Sequence, residues 1–155
     1  RILFAGGPFD MRQFDDRRSG ALRAVEESGG VSLETLPIAG SHVENGRLAG
    51  EEIARRSPTD RPDAVFCAND LVALGVLQSL SARGIRVPED IALIGFDDID
   101  FAAAAVVPLS SVRQPSRLMG ETALRILVDE GDDPDRGAEQ VVFEPELVIR
   151  ESTRG

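Results

Sequence analysis

Short apolar runs that alternate with helical patterns are the feature that most constrains the fold of this 155-residue chain. The apolar runs predict four strands, at Ile2–Ala5, Val31–Ile38, Ala64–Cys67 and Ile91–Phe96. The helical patterns follow the first three runs, at Arg17–Ser28, Val43–Arg56 and Asn69–Arg83. Such alternation predicts a parallel sheet with right-handed crossovers. Because the runs are almost continuously apolar, we expect an open sheet with helices on both faces, a three-layer α/β/α architecture.

The helical period predicts which side chains face the sheet. Leu22 and Val25 form the expected inner face of the first helix, and Ala49 and Ile53 that of the second. Asn69 is the expected N-terminal cap of the third helix. The apolar stripe of that helix consists of Leu71, Leu74, Leu77 and Leu80.

The alternation changes after residue 100. Phe101–Val107 is rich in small residues, and Ser110–Arg113 predicts a short strand. Pro115 then occupies a favoured position at the start of a helix, which we expect Gly131 to end. Residues 132–135 predict a solvated turn. Two late strands are expected, at Val141–Phe143 and Leu147–Ile149.

Charge and composition exclude several classes of protein. The net charge of −10 disfavours binding of this chain to a nucleic-acid backbone. All 17 cationic side chains are arginine, which excludes mechanisms that need a lysine. The single Cys67 cannot form an internal disulfide, which fits a reducing compartment. No apolar run is long enough to cross a bilayer, so we expect no membrane partner.

Polar side chains follow three of the predicted strands. Arg17 begins the helix after the first strand, Asn69 follows the third strand and Asp97 follows the fourth. Ligands bind open parallel sheets beyond the carboxyl ends of the strands, so we expect these side chains to converge. A guanidinium, an amide and a carboxylate together suit a sugar, a polyol or a nucleobase. The simpler alternatives are a helix cap for Asn69, a turn for Asp97 and a surface position for Arg17.

The sequence predicts no catalytic residue, no metal site and no cofactor. Gly6-Gly7-Pro8 after the first strand does not supply the G-x-G-x-x-G of a dinucleotide fold. Receiver domains and haloacid-dehalogenase-like phosphatases need a lysine that this chain lacks. Cys67 lies in an apolar strand and His42 has no partner at metal-ligand spacing. We therefore do not expect an enzyme.

Four segments carry a resemblance to a known family. They are AVFCANDLVALG at 64–75, GIRVPEDIALIGFDD at 84–98, SVRQP at 111–115 followed by Met119, Gly120 and Ala123, and LVIRES at 147–152. In this order they resemble the effector-binding core of the LacI/GalR family of bacterial transcription regulators. The first two are similar to the family's A-x-x-x-x-N-D-x-x-A-x-G and G-x-x-V-P-x-D-I-x-x-x-G-F/Y-D-D segments. The resemblance covers essentially the whole chain.

The resemblance implies two lobes that close around an effector, in the periplasmic-binding-protein-like type I arrangement, and an N-terminal headpiece that binds DNA. Residues 1–155 would be the effector-binding core, with 1–100 and about 140–155 in the C-terminal lobe. Residues from about 108 to 132 would return to the N-terminal lobe. Because residue 1 lies in a strand already under way, we interpret the N-terminus as cut. The headpiece would be missing, and DNA would be bound only through it.

The resemblance also implies residue roles and a partner. Arg17, Asn69 and Asp97 match the family's effector contacts. Ser41 matches a position where the family often has an aromatic residue, which weakens the case for sugar stacking on this lobe. A homodimer is implied, with the helices from Val43 and Asn69 and the segment 101–108 at its interface. Tight internal packing is the alternative explanation for the small residues at 102–105.

These observations predict the ligand-sensing domain of a cytoplasmic regulator whose small polar effector is a sugar. The alternative is the solute-binding protein of a sugar ABC transporter, which has the same fold and no DNA role. The segments at 112–115 and 147–152 favour the regulator. An enzyme that uses the acidic edge of the sheet is a third class.

Overall fold

The structure is a computed structural model, and it describes residues 1–132 and 140–154. The strands in this part of the chain are β1 Ile2–Gly6, β2 Leu33–Pro37, β3 Ala64–Cys67, β4 Ala92–Asp97, β5 Ser110–Arg113 and β6 Glu146–Val148. They form one sheet in the order β2-β1-β3-β4-β5-β6. Neighbours from β2 to β5 run parallel, and β6 is antiparallel to β5. The predicted parallel α/β sheet is confirmed, with an antiparallel strand added at one edge.

Helices cover both faces of the sheet, as predicted. The helices in the described residues are α1 Arg12–Ser28, α2 Val43–Arg55, α3 Asp70–Ala82, α4 Asp100–Ala103 and α5 Ser116–Asp132, and a 3₁₀ turn at Glu151–Thr153 follows β6. On one face, Leu3, Val65 and Leu93 pack in the main core with side chains of α2 and α3. On the other face, Phe4 packs with Phe14 of α1. Helices therefore lie on both faces of the sheet.

The third helix is more deeply buried than its predicted stripe. Glycines let α2 and α3 cross in backbone contact, because a Cβ on Gly75 would lie 2.1 Å from the carbonyl oxygen of Val43. The buried apolar side chains of α3 form one continuous band along the helix, at Val72, Ala73, Val76, Leu77 and Leu80. Leu71 and Leu74, which the periodicity predicts to be inside, are only half buried. The predicted stripe repeats every third residue, so it drifts around a helix with 3.6 residues per turn, and only Leu77 and Leu80 fall in the buried band.

Two predictions for the first helix are wrong. It begins at Arg12, five residues before the predicted start at Arg17. Phe14 is 2% exposed and anchors the first turn against the sheet, which explains the longer helix. The inner face continues from Phe14 at helical spacing to Val25, so Leu22 is rotated outward and is 37% exposed.

The C-terminal region departs from the sequence prediction in two ways. Val141–Phe143 forms no strand. The strand β6 pairs with β5 only over Glu146–Val148, and Glu146 already lies opposite Arg113, the last residue of β5. Residues 141–145 therefore have no residue of β5 opposite them. Gly131 does not end α5, which continues to Asp132. The rest of the turn predicted at 132–135 lies outside the described residues.

The helix α5 carries apolar side chains that face solvent. Five of them are between 38% and 67% exposed: Leu118, Met119, Leu124, Leu127 and Val128. Such side chains normally pack against another element. No helix in the described residues is long and apolar enough to span a bilayer.

Candidate functional site

Arg17 joins the ends of two strands at the carboxyl edge of the sheet. It projects from α1, and its Nη1 donates a 2.6 Å hydrogen bond to the carbonyl oxygen of Ala68, just beyond β3. Its Nη2 lies 3.3 Å from Oδ1 of Asp97, the last residue of β4. The Arg17 side chain is 12% exposed, so this ion pair is mostly shielded from water. Two of the predicted site residues, Arg17 and Asp97, are therefore in direct contact.

Aromatic rings hold the Arg17 guanidinium in a fixed plane. Its central carbon lies 3.8 Å from the centroid of the Phe96 ring and 5.8 Å from that of Phe14. Burial lowers the pKa of Arg17, while the negative charge of Asp97 acts in the opposite direction. Stacking on a ring leaves the N–H groups at the rim of the guanidinium free to point along the sheet edge. The arrangement can present a planar, positively charged donor to a small polar ligand.

Asp97 combines an accessible carboxylate with an unusual backbone. Its side chain is 33% exposed, and its Oδ1 accepts a 2.7 Å hydrogen bond from Nε2 of Gln114. Burial raises the pKa of Asp97, while the positive charge of Arg17 and the hydrogen bonds from Gln114 and Arg17 oppose that change. The φ angle of Asp97 is 105°, a region that residues with a side chain rarely adopt. Such strain is concentrated at functional sites.

Asn69 and Ser41 are linked beside this ion pair. Asn69 caps α3, because its Oδ1 accepts a 2.9 Å hydrogen bond from the backbone N–H of Val72. Its Nδ2 donates to the carbonyl oxygen of Ser41 at 2.9 Å. The capping alternative is thus confirmed for Asn69, and Ser41 contributes its backbone carbonyl to this contact. An amide NH₂ group has two hydrogens, so it can donate a second hydrogen bond.

A buried carboxylate lies beneath this edge. Asp70 is fully buried, and its two oxygens accept hydrogen bonds from the hydroxyl of Ser111 at 2.7 Å and the backbone N–H of Ile99 at 2.9 Å. Burial raises the pKa of Asp70, and these hydrogen bonds oppose the change. Gly95 makes room for it, since a Cβ there would lie 2.0 Å from Asp70 Oδ1. Asp70 therefore ties α3 to β5 and to the loop after β4.

The sequence prediction missed two members of the site. Phe96 stacks on Arg17, and Gln114 binds Asp97. The register of β4 and β5 is a signal for Gln114, because Asp97 pairs with Arg113 in the parallel ladder and Gln114 is the next residue. Nothing in the spacing of Phe96 distinguishes it from a core residue of β4.

The described residues include no cluster of side chains suited to a metal ion, since no group of three or more histidine, cysteine or acidic side chains among them is placed to hold one. Cys67 is fully buried, and burial strongly raises the pKa of its thiol, so it is held as a neutral core side chain. The polar groups at the sheet edge are donors and acceptors suited to binding.

Comparison with known proteins identifies the family. The family model for the periplasmic binding protein-like domain matches residues 1–153. The chain belongs to the periplasmic binding protein-like domains of the LacI/GalR family. It is 37% identical over 157 residues to the HTH-type transcriptional repressor PurR of Vibrio atlanticus, covering 99% of this chain and 46% of that protein. It is 39% identical over 153 residues to the HTH-type transcriptional regulator CelR of Thermobifida fusca, covering 98% of this chain and 44% of that protein.

Solved structures of the LacI/GalR family have the same fold. The transcriptional regulator CelR in complex with cellobiose superposes with a TM-score of 0.87 at 36% identity, covering 98% of this chain and 46% of that chain. A LacI-family regulator from Lactobacillus casei with bound sucrose gives 0.82 at 30% identity, covering 99% and 57%. The chain spans about half the length of the curated relatives it matches. These relatives are transcription regulators, so the transporter alternative is not favoured.

Proposed function

We propose that this chain is the ligand-sensing part of a LacI/GalR-type transcription regulator and that it binds a small polar effector, a sugar. The observation that carries the proposal is the contact between Arg17 and Asp97 beside Asn69, at the edge of the sheet where ligands of open α/β folds bind. Its relatives CelR and PurR are named as HTH-type regulators. DNA binding would belong to a headpiece outside these 155 residues, and the protein would act in the cytoplasm without catalysing a reaction.

Each of the four residues has a distinct part in binding. Arg17 donates hydrogen bonds to ligand oxygens, and Asp97 accepts them from hydroxyl groups. The exposed third of the Asp97 side chain leaves that carboxylate within reach of a ligand. Asn69 contributes its remaining amide hydrogen, and Ser41 sets the position of the Asn69 amide. Paired hydroxyls that meet a carboxylate and a guanidinium are a typical feature of sugars and polyols, while a nucleobase would use the same donors and acceptors.

We further propose that the chain contributes to two lobes. Residues 1–100 and about 140–155 would form most of the C-terminal lobe, and the segment from about 108 to 132 would belong to the N-terminal lobe. The solvent-facing leucines of α5 support this division, because they would pack against residues that precede this chain in the intact protein. Closure of two lobes on an effector would change the spacing of two headpieces.

A homodimer is the partner we propose for the intact protein. Packing within this chain accounts for the glycines of α2 and α3 and for the fully buried Ala102, which all lie in the proposed interface. The support for a dimer comes instead from exposed apolar side chains in α2 and in the segment 101–108: Leu48, Phe101 and Val106 are 58%, 70% and 83% exposed.

The test is a binding screen on the intact protein that contains this chain. Thermal-shift measurements with cellobiose, sucrose, glucose, ribose, xylitol and adenine should identify a compound that raises Tm. Titration calorimetry should then give saturable binding, and the same compound should alter operator binding in a gel-shift assay. Saturable binding without any DNA binding would contradict the regulator, and hydrolysis or transfer chemistry on a bound compound would indicate an enzyme.

A further inference from the structure

The last residue of β4, Asp97, and the residue after it, Asp98, both have a positive φ angle. The φ angle is 105° at Asp97 and 53° at Asp98, and neither residue is glycine. Residues with a side chain adopt this region only when surrounding contacts hold them there. The contacts that hold this pair of residues therefore determine where the carboxylate of Asp97 points.

Asp98 makes those contacts through a buried carboxylate. Its side chain is 5% exposed, and its Oδ2 accepts a 2.7 Å hydrogen bond from Nε of Arg113 in β5. Its Oδ1 forms a 2.7 Å ion pair with Nη1 of Arg150, out of line for a hydrogen bond. The backbone N–H of Asp98 also donates to the hydroxyl of Ser111 at 3.0 Å. Burial acts to raise the pKa of Asp98, but the two arginines hold that pKa below its usual range.

The carboxylates of Asp97 and Asp98 thus each accept a hydrogen bond from one of two consecutive residues at the end of β5. Asp97 accepts from Gln114, and Asp98 accepts from Arg113. The two differ in access, since 33% of the Asp97 side chain is exposed against 5% for Asp98. Arg113 is also the residue that pairs with Asp97 in the ladder. If Asp98 lost its charge, Arg113 would keep only its exposed ion pair with Glu146, and Asp97 would be a second carboxylate close enough in sequence and register to attract it.

We infer that Asp98 is a positioning residue for the effector site: it occupies Arg113 and Arg150, so that the carboxylate of Asp97 stays open to a ligand. The inference rests on the proposed function, because it assigns a cause to the accessibility of a proposed effector contact. Asp98 itself touches no ligand in this arrangement. It acts on binding by keeping Arg113 away from Asp97, and its contacts with Arg113 and Arg150 hold the backbone at the end of β4.

The test compares effector binding by Asp98→Asn and Glu146→Gln in the intact protein. Asparagine has the same shape as aspartate and tolerates positive φ, so the substitution removes mainly the charge. Glu146 pairs with Arg113 at 3.1 Å, but both side chains are largely exposed, so its loss is the matched control. With whichever of cellobiose, sucrose, glucose, ribose, xylitol or adenine binds the wild type, Asp98→Asn should raise the Kd by about 2- to 30-fold. Glu146→Gln should stay within about twofold of wild type.

A second substitution separates positioning from a general loss of structure. Adding Arg113→Gln to Asp98→Asn removes the cation that would compete for Asp97, so the double variant should regain affinity over the single variant. A purely structural role predicts the opposite, since the double variant has lost more contacts. Wild-type affinity in a folded Asp98→Asn variant, an equal loss in Glu146→Gln, or a further loss in the double variant would each overturn the inference. If the wild type binds none of the compounds, it is the proposed function that fails.

Discussion

Gly75 lies in the middle of α3, where its Cα faces the backbone of α2. A Cβ built at this position would lie 2.1 Å from the carbonyl oxygen of Val43 and 2.6 Å from the backbone nitrogen of Arg47. An ordinary contact of a Cβ begins at 3.4 Å, so the oxygen would have to move away by about 1.3 Å. Because the obstacles are backbone atoms, no change of side-chain rotamer can relieve them. The whole of α2 must shift against α3.

The size of the effect follows from two opposing contributions. Overpacking of a tight core costs about 1–3 kcal/mol, and occasionally more. Alanine returns up to about 1 kcal/mol relative to glycine in a helix interior. Since the three nearest atoms are all backbone atoms of α2, we expect Gly75→Ala to lower the free energy of unfolding by about 2 kcal/mol.

Gly20 provides the matched control within the same chain. It lies inside α1, and a Cβ there would have no neighbour within 4 Å. Gly20→Ala should therefore gain helix propensity alone and raise the free energy of unfolding by up to about 1 kcal/mol. Urea denaturation of the intact protein, followed by circular dichroism, measures both variants. If Gly75→Ala is as stable as Gly20→Ala, the close crossing of α2 and α3 is refuted.

Three further predictions concern charged groups. Asp97→Ala in the intact protein should abolish the response to effector while operator binding persists, and normal release by effector in a gel-shift assay would count against the site. Arg86 holds the pKa of the exposed Asp90 at about 2, so a ¹³C NMR titration should find its midpoint there, and Arg86→Gln should return it towards the usual value. Burial raises the pKa of Asp70, so its ionisation lowers stability as pH rises above the unfolded-state pKa of about 3.9. Asp70→Asn should remove that loss, and unfolding midpoints that change as in the wild type between the unfolded-state pKa and pH 7 would contradict the assignment.

The sequence contains most of the information for the sheet and little about helix rotation. The β3 boundaries predicted at Ala64–Cys67 match the structure, because a buried parallel strand is an uninterrupted apolar run. The rotation of α1 was not predictable from its own pattern. Leu22 and Val25 fit the helical period, but the packing of Phe14 against Phe4 sets which face turns inward. That contact joins residues whose proximity depends on the finished sheet.

The sequence predicts which strand ends form the candidate site, but it does not predict which side chains bind one another there. Strand ends collect at one edge in any parallel sheet, which brings Arg17 and Asp97 together. The partners of Asp98 could not be predicted in this way. Arg150 follows the antiparallel β6, and its approach to Asp98 depends on how that strand pairs with β5. Single arginines in an arginine-rich sequence carry no local signal of such a role.

The position of Asp97 also links ligand binding to the strand that leads out of the sheet. Its carboxylate lies between Arg17, which comes from the helix after β1, and Gln114, which follows β5 directly. A ligand hydroxyl that donates a hydrogen bond to Oδ1 of Asp97 competes with the amide of Gln114 for that oxygen. Gln114 is separated from the start of α5 at Ser116 by one proline. Under the proposed function, a change at Asp97 therefore reaches the base of α5 without passing through the core, and the exposed leucines of that helix are where a second lobe would respond to it.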